Sequence, residues 1–474
     1  MRRQIVTILF LLLPVAAAAQ EAPRFDAYFE PRTMRLDYFH TGGLGEEIVS
    51  LDRIVNDGPW AGPTTKLLDL SNLGKYRFVV RDLETHRELY SRGFASIFGE
   101  WETTAEAKEM HRTFHESLRF PWPKRPGEVL LEKRGPLNAF LPLWSTVVDP
   151  SSRQINPARL EPELPVYTIV ESGEPREKVD LLFVGEGYTA AEMEKFQADA
   201  RRLADALFSV EPFRSRKSDF NVRAIAPLAA KSGVHRIRAK QNRRTPLSVE
   251  YNIFDSERYV LTLDNRALRD AASAAPYEFM EILVNERQYG GGGIYGLHST
   301  AAAGSAFADY LVIHEFGHHF AALGDEYYTS PVAYETGAAF HPEPWEPNIT
   351  ALHDPENLKW KDLVEPGTPI PTPWEKEEFD QHSRAVQKRR AELRAQGASE
   401  EELEALFREQ RAWEEKFLAS QEYAGKVGAF EGAGYEATGL YRPEADCIMF
   451  TRDRVGFCDV CNRAIGRVID MYVE

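Results

Sequence analysis

Three cysteines in 474 residues are too few for a disulfide scaffold, and all of them, Cys447, Cys458 and Cys461, fall near the C-terminus. Cations are also scarce. Lys and Arg number 57 against 73 Asp and Glu, for a formal net charge of −16, and two of those cations, Arg2 and Arg3, open the chain. This deficit excludes nucleic acid and anionic membrane as partners recruited by bulk electrostatics. No run beyond the N-terminus approaches the roughly 20 apolar residues of a bilayer span. The glycines at 290–293 have no Lys-Ser/Thr after them, so they are not a phosphate loop.

What is present begins with a leader. Behind Arg2-Arg3 lies an apolar run from Ile5 to Val15, closed by AAAAQ at 16–20. This forms a secretory signal over residues 1–19, cleaved after Ala19. The mature chain is therefore expected in the periplasm or outside the cell, where disulfides persist. The odd thiol count points to one disulfide, joining Cys447 to Cys458 or Cys461, with one thiol left over. The competing use of Cys458-x-x-Cys461 is a second zinc site, for which Cys447 is the obvious further thiolate.

Composition changes along the chain divide it. In residues 20–145, Met34, Leu36 and Tyr38 alternate with Arg35 and Asp37, and Tyr76, Phe78 and Val80 alternate with Arg77 and Val79. A period of two predicts half-buried strands and a β-sandwich accessory domain without chemistry of its own. A proline-rich passage from Pro121 to Pro165 reads as a linker. From residue 150 to 474 the pattern becomes strand–helix alternation: a buried strand at Val179–Val184, a helix opened by Thr189 and Glu192, and strands near Phe220 and Arg258. The expected class is α+β or α/β, with a mixed sheet and an active-site helix. Residues 374–425, dense in Glu, Arg, Lys, Ala and Leu, predict a solvated helical hairpin inserted there, restarted at Ser399 after Gly397. A lid or docking role is the sharper alternative for it.

The chemistry concentrates in HEFGHHFAALGDEYY, residues 314–328. His314 and His318 differ by about 40° around a helix and share one face. Two imidazoles one turn apart can bind one zinc ion and leave room for a third ligand and a water. Glu315, turned by about 100°, suits a general base outside the ligand set. The bland alternative is a core helix with surface histidines. Asp325 lies about 16 Å further along a straight helix, so the chain must reverse for it to serve as third ligand. Gly324 is the expected site of the break, through a left-handed conformation. Glu326 competes closely for the ligand role and Glu431 distantly. Glu326 also suits a partner for a histidine N–H.

The same stretch resembles the IgA-peptidase family of secreted bacterial zinc metalloendopeptidases, related to the metzincins. The likeness runs through EPNIT at 346–350, KWK at 359–361, GAFEGAGY at 428–435, GLYRP at 439–443 and DCIMF at 446–450, with Cys458 and Cys461 following. TMRLDY at 33–38 resembles the family's accessory N-terminal domain. The resemblance implies one catalytic zinc on His314 and His318, Glu315 as the catalytic residue, and Met449 as the floor of a Met-turn. Ala321 and Gly324 depart from the usual metzincin spacing, and the carboxylate comes one position late. Thr451 stands where some metzincins keep a tyrosine, so Tyr435 and Tyr441 are the candidates for a transition-state donor. The glycine-rich stretch 289–298 is either a flexible edge or the strand against which substrate pairs. The expectation is an exported zinc endopeptidase acting on protein or glycoprotein. The alternatives are a zinc hydrolase of another amide or ester, and an exported binding protein with a vestigial metal site. Every proposed ligand lies beyond residue 150, which predicts that the N-terminal part is separable from the chemistry.

Overall fold

The computed structural model describes residues 22–333 and 340–473. The expected leader, 1–19, lies outside them. The N-terminal part holds β1 (Phe29–Gly43), β2 (Glu46–Pro59), β3 (Tyr76–Asp82), β4 (Glu88–Phe94), β5 (Arg112–Pro123), β6 (Gly127–Arg134) and β7 (Phe140–Val148), with β8 (Asn156–Arg159) added from beyond it. They form two four-stranded sheets, ordered β5-β1-β2-β8 and β4-β3-β6-β7. Met34, Leu36, Phe78, Val80, Phe120 and Leu131 from both sheets meet in one core.

The proline-rich passage is not simply a linker. Pro121 and Pro123 lie in β5, Pro142 in β7 and Pro157 in β8, and each of these strands is at a sheet edge. Proline is tolerated there because its missing N–H breaks no ladder bond. The alternation in β1 also has another outcome. Arg35 and Asp37, expected to face water, are fully buried, as are the apolar residues between them.

The next part is built on a six-stranded sheet. In chain order come β9 (Tyr167–Val170), β10 (Val179–Glu186), β11 (Phe220–Ile225), the short pair β12 (Val249–Tyr251) and β13 (Val260–Thr262), then β14 (Phe279–Val284), β15 (Gly291–Ile294) and β16 (His298–Ala302). The six-stranded order is β15-β16-β14-β10-β11-β9. β16, β14, β10 and β11 run parallel, while β15 and β9 are antiparallel edges. β10 and β14 are buried along their whole length, which explains their nearly continuous apolar sequence. The helix Ala308–Ala321 packs across the β15–β16 end of this sheet. Its Phe307 flank and its Leu311, Phe316 and Phe320 enter the core.

The charged insertion forms two helices, Lys376–Ala395 and Glu400–Ala419, the second opened by a Ser399–Glu402 capping box. It is solvated on one face only. Phe379, Phe407 and Leu418 join the main core, and Phe407 packs edge-on against Tyr289 at 5.4 Å.

A buried ionic network accounts for the polar face of β1. Arg35 bonds Asp37 at 2.9 Å, Asp57 at 2.7 Å and, across the junction, Asp270 at 2.5 Å. Arg119 donates to Asp57 at 2.8 Å and to the Tyr277 carbonyl at 2.8 Å. The strand has two buried faces because its outer one packs on the following part of the molecule.

Candidate metal centre

The histidine helix presents its motif as its spacing demands. The ligand atoms of His314, Glu315 and His318 lie within 4.8 Å of one another, and the two Nε2 atoms are 3.2 Å apart. The helix ends at Ala322, whose φ of 58° is left-handed. The reversal therefore falls two residues before Gly324. Glycine at 324 instead leaves room for a neighbouring side chain, since a Cβ there would lie 2.5 Å from Ile349 Cδ1. Asn348 clamps this position, accepting from the Gly324 N–H at 2.7 Å and donating to its carbonyl at 2.9 Å.

The reversal returns Asp325 to the histidines, with Oδ1 at 3.0 Å from His314 Nε2 and 3.2 Å from His318 Nε2. Tetrahedral zinc with ligand bonds of about 2.0–2.1 Å would separate neighbouring ligand atoms by about 3.3 Å. Asp325 Oδ1 is buried and makes no well-formed hydrogen bond, although two ring nitrogens are close. Three lone pairs aimed at a common point have this arrangement, and the donor set fits a zinc ion. Both Nδ1 atoms face carbonyls, Ile448 at 2.9 Å and Leu323 at 2.5 Å. Placing the N–H groups on those bonds leaves each Nε2 lone pair for a cation. These carbonyls occupy the positions expected of Glu326, which turns away and is not a histidine partner. Glu431 is distant too, accepting from the Gly439 N–H at 3.3 Å in the last hairpin.

Electrostatics set the charges. Burial works to raise Asp325, but His318 and His314 hold its carboxyl well below the usual range. Burial pushes the Glu315 carboxyl up, while the same histidines pull it back. A raised carboxyl beside a water site suits reversible proton transfer.

The centre opens on a cleft of about 430 Å³ lined by Arg258, Glu315, Asp325, Tyr327 and Tyr435, among others. Of the two tyrosines singled out from sequence, Tyr435 reaches it and donates to Asp325 Oδ2 at 2.5 Å. Tyr441 does not line it; its strand pairs with Thr350. Two tyrosines were missed. Tyr327, just past the acid pair, receives a hydrogen bond from Arg258 at 2.8 Å. Tyr310, 3.1 Å from His314 Nδ1, is four residues before His314, so helical spacing could have identified it.

Below the helix, Met449 is fully buried in a turn closed by N–H groups of Phe450 and Thr451 on the Cys447 carbonyl, at 2.8 and 3.0 Å. Gly317 lets it approach: a Cβ there would lie 3.2 Å from Met449 Sδ. The expected disulfide is absent. Cys447, Cys458 and Cys461 are free and buried. Cys447 and Cys461 hold their sulfurs 3.9 Å apart, against about 2.05 Å for a bond.

The edge strand β15 supplies one wall. A Cβ at Gly293 would lie 2.3 Å from the Glu315 carbonyl, so the glycines permit close approach between strand and helix. Beyond β15, the N-terminal part contributes Lys75, Ala95, Gly99 and Glu100 to the cleft, and the Ala95 N–H bonds the Tyr295 carbonyl at 2.8 Å. The first domain is thus not remote from the chemistry, contrary to what the ligand positions alone suggest.

A family model described as IgA Peptidase M64 matches residues 167–469, and one described as Peptidase M64 N-terminus matches 24–145. No curated protein matches the chain.

Proposed function

We propose, from the premise that this chain belongs to the IgA peptidase M64 family, that it is an exported zinc endopeptidase. Family membership makes it a peptidase and its substrates proteins; the zinc, the base and the export are part of the proposal. The observation that carries it is the convergence of His314 Nε2, His318 Nε2 and the unbonded Asp325 Oδ1 within 3.2 Å. Zinc held there supplies Lewis acidity toward water and the scissile carbonyl. Glu315 takes the proton of the attacking water and passes it to the leaving amine. Tyr435, through its bond to Asp325 Oδ2, fixes the orientation of the carboxylate. Substrate backbone pairs beside β15, at the half of that edge beyond Gly291, whose N–H already bonds the Arg258 carbonyl at 3.0 Å.

Peptide hydrolysis is favoured over other amides or esters by the family match and by this strand edge next to Glu315. A vestigial binding protein is disfavoured because the base and the whole donor set are intact. The test is Glu315→Gln, which keeps the shape but cannot accept the proton. Turnover of a peptide library should fall by at least about two orders of magnitude with zinc content unchanged. Near-normal hydrolysis by the metal-replete variant would remove Glu315 from the mechanism.

A further inference from the structure

The carboxylate that turns away from the catalytic centre enters a second cluster. Glu326, Cys447, Cys458 and Cys461 are all buried and bring one oxygen and three sulfurs within 4.8 Å of one another. Glu326 Oε1 lies 3.5 Å from Cys461 Sγ, and Cys461 Sγ lies 3.9 Å from Cys447 Sγ. Tetrahedral zinc with bonds of about 2.3 Å to sulfur and 2.0 Å to oxygen would give about 3.8 Å between sulfurs and about 3.5 Å from sulfur to oxygen. The observed spacings match both. We propose that these four residues hold a second, structural zinc ion, separate from the catalytic one.

Three further observations support the assignment. Glu326 Oε2 is buried without a hydrogen-bond partner, and a desolvated carboxylate among thiols is unfavourable unless a cation joins it. Buried Arg442 is nearby, but its described bonds run to the carbonyls of Glu431, Gly432 and Ala445. Finally, backbone N–H groups point at the sulfurs. Met449 and Cys458 donate to Cys447 Sγ at 3.5 and 3.3 Å, and Cys461 donates to Cys458 Sγ at 3.5 Å. Such bonds favour the thiolate that binds metal.

The position gives the site a purpose. Glu326 follows Asp325 directly, and its N–H bonds the Met449 carbonyl at 2.9 Å. Asn348 bonds both Glu326 Oε1, at 2.9 Å, and the Gly324 backbone. A cation on Glu326 and the cysteines would therefore join the returning segment, the Met449 turn and the start of the C-terminal helix (Asp459–Tyr472). Through that join it would hold Asp325 in place.

The experiment uses the full mature chain, loaded with zinc and separately with cobalt(II). Elemental analysis should find two zinc ions per chain, and one in the folded double variant His314→Ala/His318→Ala. The catalytic donors include no sulfur, so a thiolate-to-cobalt charge-transfer band in the wild-type chain can come only from this cluster. That band should lose intensity in Cys458→Ser, which removes one of the three thiolates. If Cys458→Ser does not fold, the wild-type cobalt spectrum decides. A cobalt-loaded wild type without the band overturns the proposal, and so does a disulfide among the three cysteines found by mass spectrometry. Loss of the catalytic ion alone leaves the band intact, so failure of the peptidase reading is distinguishable.

Discussion

Asp325 shows how much one side chain depends on its neighbours. Its Oδ1 faces two imidazoles and its Oδ2 accepts from Tyr435 at 2.5 Å. Asp325→Ala should remove one zinc equivalent outright, because two imidazoles alone hold zinc weakly. Tyr435→Phe removes only the outer bond and should weaken the catalytic zinc by about 10–100-fold, the usual effect of losing an orienting partner. Competition with a graded chelator measures both. Unchanged affinity in Tyr435→Phe would show that the tyrosine orients nothing. The same residues show why Glu326 and Asp325 could not be separated by composition: the adjacent carboxylates find different partners, Asp325 the two imidazoles and Glu326 Asn348 and Cys461.

At the scale of elements, the contact between β15 and the histidine helix carries the strictest steric demand. A methyl at Gly293 would meet the Glu315 carbonyl at 2.3 Å and His318 Cβ at 2.8 Å. Gly293→Ala should therefore force the strand from the helix, costing about 1–3 kcal/mol of stability, as overpacking does. It should also depress peptide hydrolysis beyond the stability loss, since both displaced residues are in the centre. Denaturant unfolding and hydrolysis rates report the two effects, and a variant normal in both would refute the close-packing argument. The hairpin supplies a milder case. Ser399 accepts from the Glu402 N–H at 3.3 Å, and Ser399→Ala should cost about 1 kcal/mol, the typical value of an N-cap, without touching zinc content.

At the scale of the molecule, the junction between the two parts rests on buried charge. Arg35 and its partners Asp37 and Asp57 have side chains with no exposure. Arg35→Ala would remove the cation shared by Asp37 and Asp57 and leave each with one remaining guanidinium, Arg53 for Asp37 and Arg119 for Asp57, a loss of about 1.5–3 kcal/mol, the usual worth of a charged hydrogen bond. Thermal and denaturant unfolding should show it, and a loss near zero would mean that Arg53 and Arg119 suffice to hold the two carboxylates. The N-terminal part also carries a pH response. Burial works against charge on His40, but Glu116 and Glu47 raise its pKa from 6.5 to about 9. Lys133 also contacts Glu47, Tyr38 donates to Glu116 at 2.9 Å, and Tyr76 lies edge-on to the ring. Protonated His40 thus stabilises the fold in full below about pH 6.5, and the contribution is lost as pH rises through about 9. In His40→Gln the unfolding midpoint should lose its decline across that window; a decline as steep as in the wild type would assign it to another group.

The sequence by itself determined what local geometry encodes. His314, Glu315 and His318 needed only a helical repeat to share a face, Ser399 and Glu402 only a first turn, and Val179–Val184 only its apolar run to lie in a buried strand. The motifs from TMRLDY to DCIMF were enough to identify the family, because each is a short string whose residue types persist wherever the chain places them. Tertiary structure alone decided what depends on distant partners. The prolines of β5, β7 and β8 became edge residues rather than a linker because pairing order, which no local pattern carries, put those strands at the margins. Arg35 and Asp37 became interior because a second part covers their face. The three cysteines stayed apart as thiols, and Glu326 joined them from more than a hundred residues upstream, because the chain reversal at Ala322 and the turn around Met449 meet in space. Spacing along a helix is a property of the chain, whereas the partner of a buried charge is a property of the fold.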